Sequence, residues 1–314
     1  MSKASANART TAPVFSAATR LLVIAPHPDD ETIATGLLIQ QVRAAGGNVR
    51  IVLLTDGDNN PWPQRWMERR WHIGIAERRR WGKRRHAEVA LAMQRLDVSA
   101  SSLQSMGWPD MGLTDVLMHR GGQAVASMAE AIEAYRPNLV VMPSIDDRHP
   151  DHGAAHVLVR LALASVDHAP EQWTYLIHGR SRELLDIELH GSKEQQARKV
   201  AALDAHRTQM ALSGRRMHRL AGDSERFATV SFTTPVSALP WKPPSWMHPW
   251  LRVNIATRAG MQSWPWRDAP LRRDERGSYH LVDASSAEPG LRFVKLTSDL
   301  RTFWIFDHWG WQKA

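Results

Sequence analysis

Cysteine is absent from all 314 residues, so the chain forms no disulfide and offers no thiolate to a metal. Any metal it holds must rest on histidine, aspartate or glutamate. Long apolar runs are missing too: no stretch approaches the roughly 18 residues that a helix needs to span a bilayer. Met1 to Thr19 is rich in Ser, Ala and Thr, lacks the apolar segment of a signal peptide, and is expected to be a loose tail. The expectation is a soluble cytoplasmic protein, at most peripheral to the inner face of a membrane. Nothing repeats at a fixed period, and no DNA- or RNA-binding module is recognisable. With 43% hydrophobic residues, 18 Pro and 19 Gly, what remains is a globular chain long enough to bury a full core.

The net charge of +8 is unevenly placed. Between Gln64 and His86 nine cations, among them Arg65, Arg69, Arg70, Arg79 and Arg85, face only Glu68 and Glu77. Trp62, Trp66, Trp71 and Trp81 accompany them. One reading is a solvated helix whose Met67/Trp71/Ile75 stripe packs on the core. The other is a docking surface for an anionic partner, such as a phosphorylated glycolipid or an acidic membrane face, with Trp at the interface.

The apolar run Leu21 to Ala25 predicts a buried strand that stops at Pro26 and Pro28, since neither proline can donate to a ladder. Into that stop the chain places His27, Asp29, Asp30 and Glu31. A helix over Thr32 to Ala45 and a strand over Val49 to Thr55 complete a β-α-β start, which implies a parallel pair with a right-handed crossover. Helical spacing continues within Pro61 to Val98, over Ala124 to Tyr135, Gly153 to Ala164 and Lys193 to Met210. Strands are predicted at Ser102 to Met106, Asn138 to Pro143 and Thr174 to His178. This alternation argues for an α/β fold, a Rossmann-like, mostly parallel sheet with helices on both faces. Residues 20–212 are expected to form the catalytic core. Residues 213–314, rich in Trp and Pro, form an extension packed on it, with strands at Leu291 to Leu296 and Phe303 to Phe306.

Three strand ends carry polar clusters: His27/Asp29/Asp30, then Asp56, then His149/Asp151/His152. In a parallel sheet they converge at one edge, where ligands bind in open α/β folds. His27, Asp30 and His152 would supply two imidazoles and one carboxylate, the donor count of an open catalytic zinc site. Two His and one carboxylate also suit Fe²⁺. Asp29 is placed to stay off the metal as general base towards a zinc-bound water. His149, held by Asp151, is placed to act as a cation that stabilises a developing oxyanion or protonates a leaving amine.

Pro-His-Pro-Asp-Asp-Glu at 26–31 with His-Pro-Asp-His at 149–152 resembles the PIG-L/LmbE-like zinc-dependent N-acetylglucosaminyl deacetylases. Thr55-Asp56-Gly57, Arg85-His86-Ala87-Glu88, Trp108-Pro109-Asp110 and Ala205-His206-Arg207-Thr208-Gln209 resemble weaker motifs of that family, across roughly Arg20 to Met210. The family has Ala where this chain has Pro26, and its minimal core has no counterpart of the extension. The resemblance implies zinc on His27, Asp30 and His152, Asp29 as base, and His149 as electrostatic and proton-transfer partner with Asp151 behind it. It also implies Arg85 and Asp110 as holders of sugar hydroxyls. The implied reaction removes an N-acetyl group from an N-acetylglucosamine-type amino sugar, which envelope glycolipids and glycoconjugates carry.

Blander readings stand beside these. Asp56, Asp58 and Asp110 suit ordinary turns. Arg85 and Glu88 suit an i,i+3 pair on a solvated helix face. Glu31 either supports the cluster or simply begins a helix. His178 reads as a structural histidine, His206 and Arg207 as surface or core-edge residues, and His248, His280 and His308 as ordinary. An amidase of the same fold acting on another amide, and a non-catalytic anion- or nucleic-acid-binding protein on a deacetylase scaffold, are the rival functions.

Overall fold

The computed structural model describes residues 13–179, 186–230, 238–282, 291–300 and 309–314. The elements of the first part are β1 (Arg20–Ala25), α1 (Asp30–Ala44), β2 (Asn48–Thr55), α2 (Pro61–Glu68), α3 (Ile75–Arg95), β3 (Leu103–Trp108) and α4 (Leu113–Tyr135). Next come β4 (Leu139–Pro143), α5 (Pro150–Leu163), β5 (Glu171–Tyr175), β6 (Ile187–His190), α6 (Lys193–Leu203), α7 (Arg207–Ala221) and β7 (Ser224–Thr229). The last part holds β8 (Leu251–Thr257), β9 (Gly260–Pro265), β10 (Leu271–Arg273), β11 (Tyr279–Leu281), β12 (Arg292–Ser298) and β13 (Gln312–Lys313).

Seven strands make the main sheet in the order β3-β2-β1-β4-β5-β7-β6. β1 to β5 are mutually parallel, and β7 is antiparallel to both of its neighbours. The strand order reverses at β1, so the loops after β1 and β4 lie side by side at the carboxyl edge. β1 feeds two cores by simple alternation. Leu21, Val23 and Ala25 pack with α1 and α3, while Leu22 and Ile24 pack with α4 and α5. Each buried Leu or Val contributes about 2 kcal/mol of apolar transfer, which anchors the strand that carries His27. The sheet is Rossmann-like, with helices on both faces, as the strand-helix alternation predicts.

Local differences from the sequence reading have local causes. α4 begins at Leu113, well before Ala124, and bends at Arg120 just ahead of Gly121-Gly122. Those glycines weaken the helical signal, yet a Cβ on Gly121 would lie only 2.6 Å from Met261 of β9. The predicted helix from Lys193 to Met210 is two helices. The buried Glu88 carboxylate accepts the Thr208 N–H at 3.1 Å and starts α7 afresh, in the manner of a cap. The border expected after residue 212 falls inside α7, and β7 beyond it belongs to the main sheet. β7 is short with mixed burial, so it carries no apolar run to announce it.

A second sheet of order β13-β12-β8-β9 and the β10-β11 pair form the extension. It packs on the first part: Ala256, Phe293 and Trp311 share a core with α4 and α5. At the other end, Phe15 packs its ring on Trp173, so the chain is already seated on the core ahead of β1. The strand predicted over Phe303 to Phe306, and His308, lie outside the described residues. Among the described residues no helix is long and apolar enough to cross a membrane.

Candidate functional site

β1 ends at Ala25, and the turn over His27 to Asp29 leads straight into α1. Asp29 is the N-cap of α1 with φ 115° and ψ −28°, a backbone conformation that costs a non-glycine residue about 1–3 kcal/mol. Its neighbours hold it there. The Asp29 N–H donates to Glu31 Oε2 at 3.0 Å, and Gln209 Nε2 donates to Asp29 Oδ2 at 2.9 Å. The Arg85 guanidinium stands 3.5 Å from the same carboxylate. On the adjacent loop, His149 caps α5, with Asp151 and His152 in its first turn.

Asp30 Oδ2 lies 3.3 Å from His27 Nδ1 and 3.2 Å from His152 Nε2. Donors on a tetrahedral ion with bonds of about 2.0–2.1 Å stand about 3.3 Å apart. The outer nitrogens of both imidazoles are held by carboxylates. His27 Nε2 meets Asp151 Oδ2 at 3.2 Å and Asp110 Oδ1 at 3.4 Å, and His152 Nδ1 meets Asp147 Oδ2 at 3.0 Å. Such outer carboxylates orient metal-ligating histidines and raise their basicity. His152 Nε2 is buried and makes no hydrogen bond of good geometry. The donor set therefore fits a metal ion. Two groupings bring three donor atoms within 4.8 Å of one another: His27 with His149 and His152, and His27 with Asp110 and Asp151.

The electrostatics agree with a site built for positive charge. Burial opposes ionisation of Asp30, but His152 and His27 outweigh it and hold the carboxyl well below its usual range. His152 is buried too, yet Asp147 and Asp30 push it up to about 10. Asp29 differs: burial, then the charge of Asp30, raises it to about 6, against the pull of Arg85, His206 and Gln209. His149 goes the other way. Burial, then the charges of His27, His152 and His178, presses it to about 2.

The structure brings His27, Asp29, Asp30, His149, Asp151 and His152 together at one sheet edge, with corrections of detail. The Asp151 carboxylate does not stand behind His149. It accepts the N–H groups of Met111 at 2.7 Å and Leu113 at 3.0 Å and contacts His27. The reason is its place in the first turn of α5, facing the loop that starts α4. Only the Asp151 N–H reaches His149, donating to Nδ1 at 3.3 Å. That bond leaves the proton of the neutral ring on Nε2, so His149 is a donor without being a cation.

Arg85 is buried and committed. It donates to the carbonyls of Gly57 and of Pro28, the latter at 2.8 Å, and so ties the β1 and β2 ends together instead of reaching out to a sugar. Gly57 has φ 61°, and a Cβ there would collide with that guanidinium. Arg85 and Glu88 are no surface pair, since both are buried and Glu88 serves α7. Asp110 stays at the rim, where Asn59 N donates to it at 2.7 Å and His27 holds its carboxyl low despite burial. Asp58 is raised by burial, then by Asp110 and Asp56.

Four contributors escaped the sequence reading. Asp147 orients His152 and also accepts the N–H groups of His149, Ile177 and His178. His206 Nε2 meets Glu31 Oε1 at 3.0 Å, which makes Glu31 a support and not merely a helix start. Gln209 steadies Asp29. The signal for both His206 and Gln209 was the late His-Arg-Thr-Gln motif itself. The His178 ring stands 5.3 Å from that of His152, at the border of the imidazole cluster. His248 packs on Trp266, and His280 meets Asp274 at 2.8 Å, both in the extension.

Comparisons with known proteins agree with this architecture. The deacetylase "1D-myo-inositol 2-acetamido-2-deoxy-alpha-D-glucopyranoside deacetylase" of Mycolicibacterium vanbaalenii is 30% identical over 241 residues, covering 62% of this chain and 82% of that protein. The conserved protein TT1542 of Thermus thermophilus superposes with a TM-score of 0.51 at 27% identity, over 71% of this chain and 99% of that one. The N,N'-diacetylchitobiose deacetylase of Pyrococcus horikoshii shares the fold at a TM-score of 0.53 and 16% identity, over 68% of this chain and 84% of that one. The model of the PIG-L family, described as GlcNAc-PI de-N-acetylase, matches residues 22–163, which span β1 to α5 and hold both strand-end motifs. With that match and the mycobacterial relative, the chain belongs to the PIG-L family.

Proposed function

We propose that this protein is a metal-dependent hydrolase that removes the acetyl group from an N-acetylated amino sugar of the N-acetylglucosamine type. The observation that carries the reading is the pair of imidazoles around Asp30 at 3.2–3.3 Å, with a separate, raised carboxyl at Asp29 beside them. His27, Asp30 and His152 would hold the ion, and zinc is the ion we favour for this donor set. When bound, it would supply polarisation of the amide carbonyl and acidification of a water molecule.

The protein's own groups do the rest. Asp29 takes a proton from the attacking water and returns it to the departing nitrogen, a task suited to a base raised to about 6. Gln209, Arg85 and the Glu31-accepted N–H keep that carboxylate aimed. His149 donates its Nε2–H to the oxyanion that develops on the carbonyl. Asp151 and Asp147 fix the two ligand rings. Asp110, at the rim, is the acid we assign to the sugar hydroxyls, and Arg85 becomes a positioning residue. Water adds across the amide, and acetate and a free amine leave. The names of the inositol-linked and chitobiose deacetylases support an amino-sugar acceptor, and an anionic glycolipid is a substrate of the same chemistry.

Acetate release from a panel of N-acetylglucosaminyl glycosides and glycolipids, with and without chelator, tests the reading. We expect release that chelator abolishes and added Zn²⁺ restores. No release from any member, or release indifferent to chelator, would overturn it.

A further inference from the structure

The arginine-rich segment has no part in the site apart from Arg85, and of the Met67/Trp71/Ile75 stripe expected to pack on the core only Met67 is partly covered. Trp71 is 89% exposed and Ile75 73% exposed. On α2, Trp62 and Trp66 are 63% and 68% exposed, while Pro63 and Gln64 turn inward. Residues four apart share a helix face, so these two rings project together. Exposed large apolar groups this close in the chain mark an interaction surface more than a chance exposure.

Cations surround these rings. The Arg65 guanidinium lies over the Trp62 ring, 4.9 Å from its centroid. Arg69 and Arg79 are exposed. The two acids of the segment are already engaged, Glu68 by Arg80 at 2.5 Å and Glu77 by Arg70 at 3.3 Å. The patch also adjoins the site. Asn60 caps α2 through Trp62 N, and its neighbour Asn59 is bonded to Asp110, which contacts His27.

We propose that α2, the turn joining it to α3 and the first turns of α3 dock the protein on an anionic lipid bilayer, with the rim of the site beside the contact. Tryptophan between apolar and wet surroundings and arginine over anionic headgroups are the chemistry of such a surface. Nucleic acid would also meet the charge, and bases stack on Trp. An exposed aliphatic such as Ile75 gains nothing from stacking, however, and gains from lipid.

The test is sedimentation of the full chain with vesicles of phosphatidylcholine alone or containing about 30% phosphatidylglycerol, a composition that gives the strongly negative surface arginines respond to. No substrate is needed, so the result is independent of the proposed chemistry. Binding to the anionic vesicles should exceed that to neutral ones by about tenfold or more and weaken as salt rises. Trp66→Ser/Trp71→Ser should lower it about tenfold through lost apolar insertion. Arg69→Gln/Arg79→Gln should lower it roughly ten- to thirtyfold, at roughly fivefold per charge. Both pairs change exposed side chains, and an unchanged melting temperature verifies the fold. Equal binding to neutral vesicles, no binding to either, or variants that bind like the parent would overturn the proposal. Salt-sensitive binding to single- or double-stranded nucleic acid without vesicle binding would overturn it in favour of that partner.

Discussion

In the turn after β1, His27, Asp29, Asp30 and Glu31 are all buried, and each carboxylate meets specific partners. In the run from Arg65 to Arg84 the charges lie at the surface or partly covered, and the ion pairs there, such as Arg80 with Glu68, join exposed guanidinium groups to rim acids. Both stretches are dense in charge along the sequence. A buried charge must be matched by fixed partners or it costs several kcal/mol, whereas an exposed one is satisfied by water and contributes little through pairing. Charge density alone does not tell a reaction centre from a docking surface. The number of protein partners per charge does. Arg85 is the instructive member: it closes the basic run in sequence and belongs to the buried turn in space.

The widest separation between the two regions is in turnover. Asp29→Asn should cut acetate release by a factor of about 10² to 10⁴ while the protein still takes up metal. His152→Ala should lose bound metal as well as activity. Metal content by elemental analysis beside initial rates distinguishes the two, and an active Asp29→Asn protein would break the assignment of the base.

Next comes stability. Arg85→Met strips partners from the Pro28 and Gly57 carbonyls and from Asp29, and should cost about 3 kcal/mol in urea unfolding. Arg79→Gln, six residues earlier, should leave the urea midpoint unchanged. Similar midpoints for the two variants would erase the contrast.

A smaller effect concerns pH. His156 is buried, donates from Nδ1 to the Pro143 carbonyl at 2.9 Å, and is lowered to about 3 by burial and then by Arg160. The unfolded chain takes up this proton below its ordinary value near 6.5, while the folded chain stays neutral down to about 3. Stability due to His156 is therefore complete above pH 6.5 and falls as pH drops towards 3, by up to about 1.4 kcal/mol per pH unit. His156→Gln should flatten that limb between pH 7 and 5. A chain with the same slope in both forms would place the acid sensitivity elsewhere.

The order of strands and helices was legible in the sequence, because apolar runs, prolines and helical spacing act over a few residues. The two strand-end motifs were legible too, since each is a contiguous turn, and a parallel sheet leaves strand ends on one edge. Contacts that cross the fold were not. Gln209 reaches Asp29 across 180 residues, and His206 reaches Glu31 across 175. Nothing local in α7 records that meeting. Asp151 chose His27 over its neighbour in the motif because the first turn of α5 faces the Met111 loop.

By itself, then, the chain without cysteine restricted any metal donors to imidazole and carboxylate, and proline, by stopping the strand, placed a cluster of both at the end of β1. Only the tertiary structure decided that Asp151 meets His27, which way Arg85 points, and that Trp71 and Ile75 face outward. Those outcomes depend on which distant surfaces meet, and burial, not residue type, sets what each charge and ring can do.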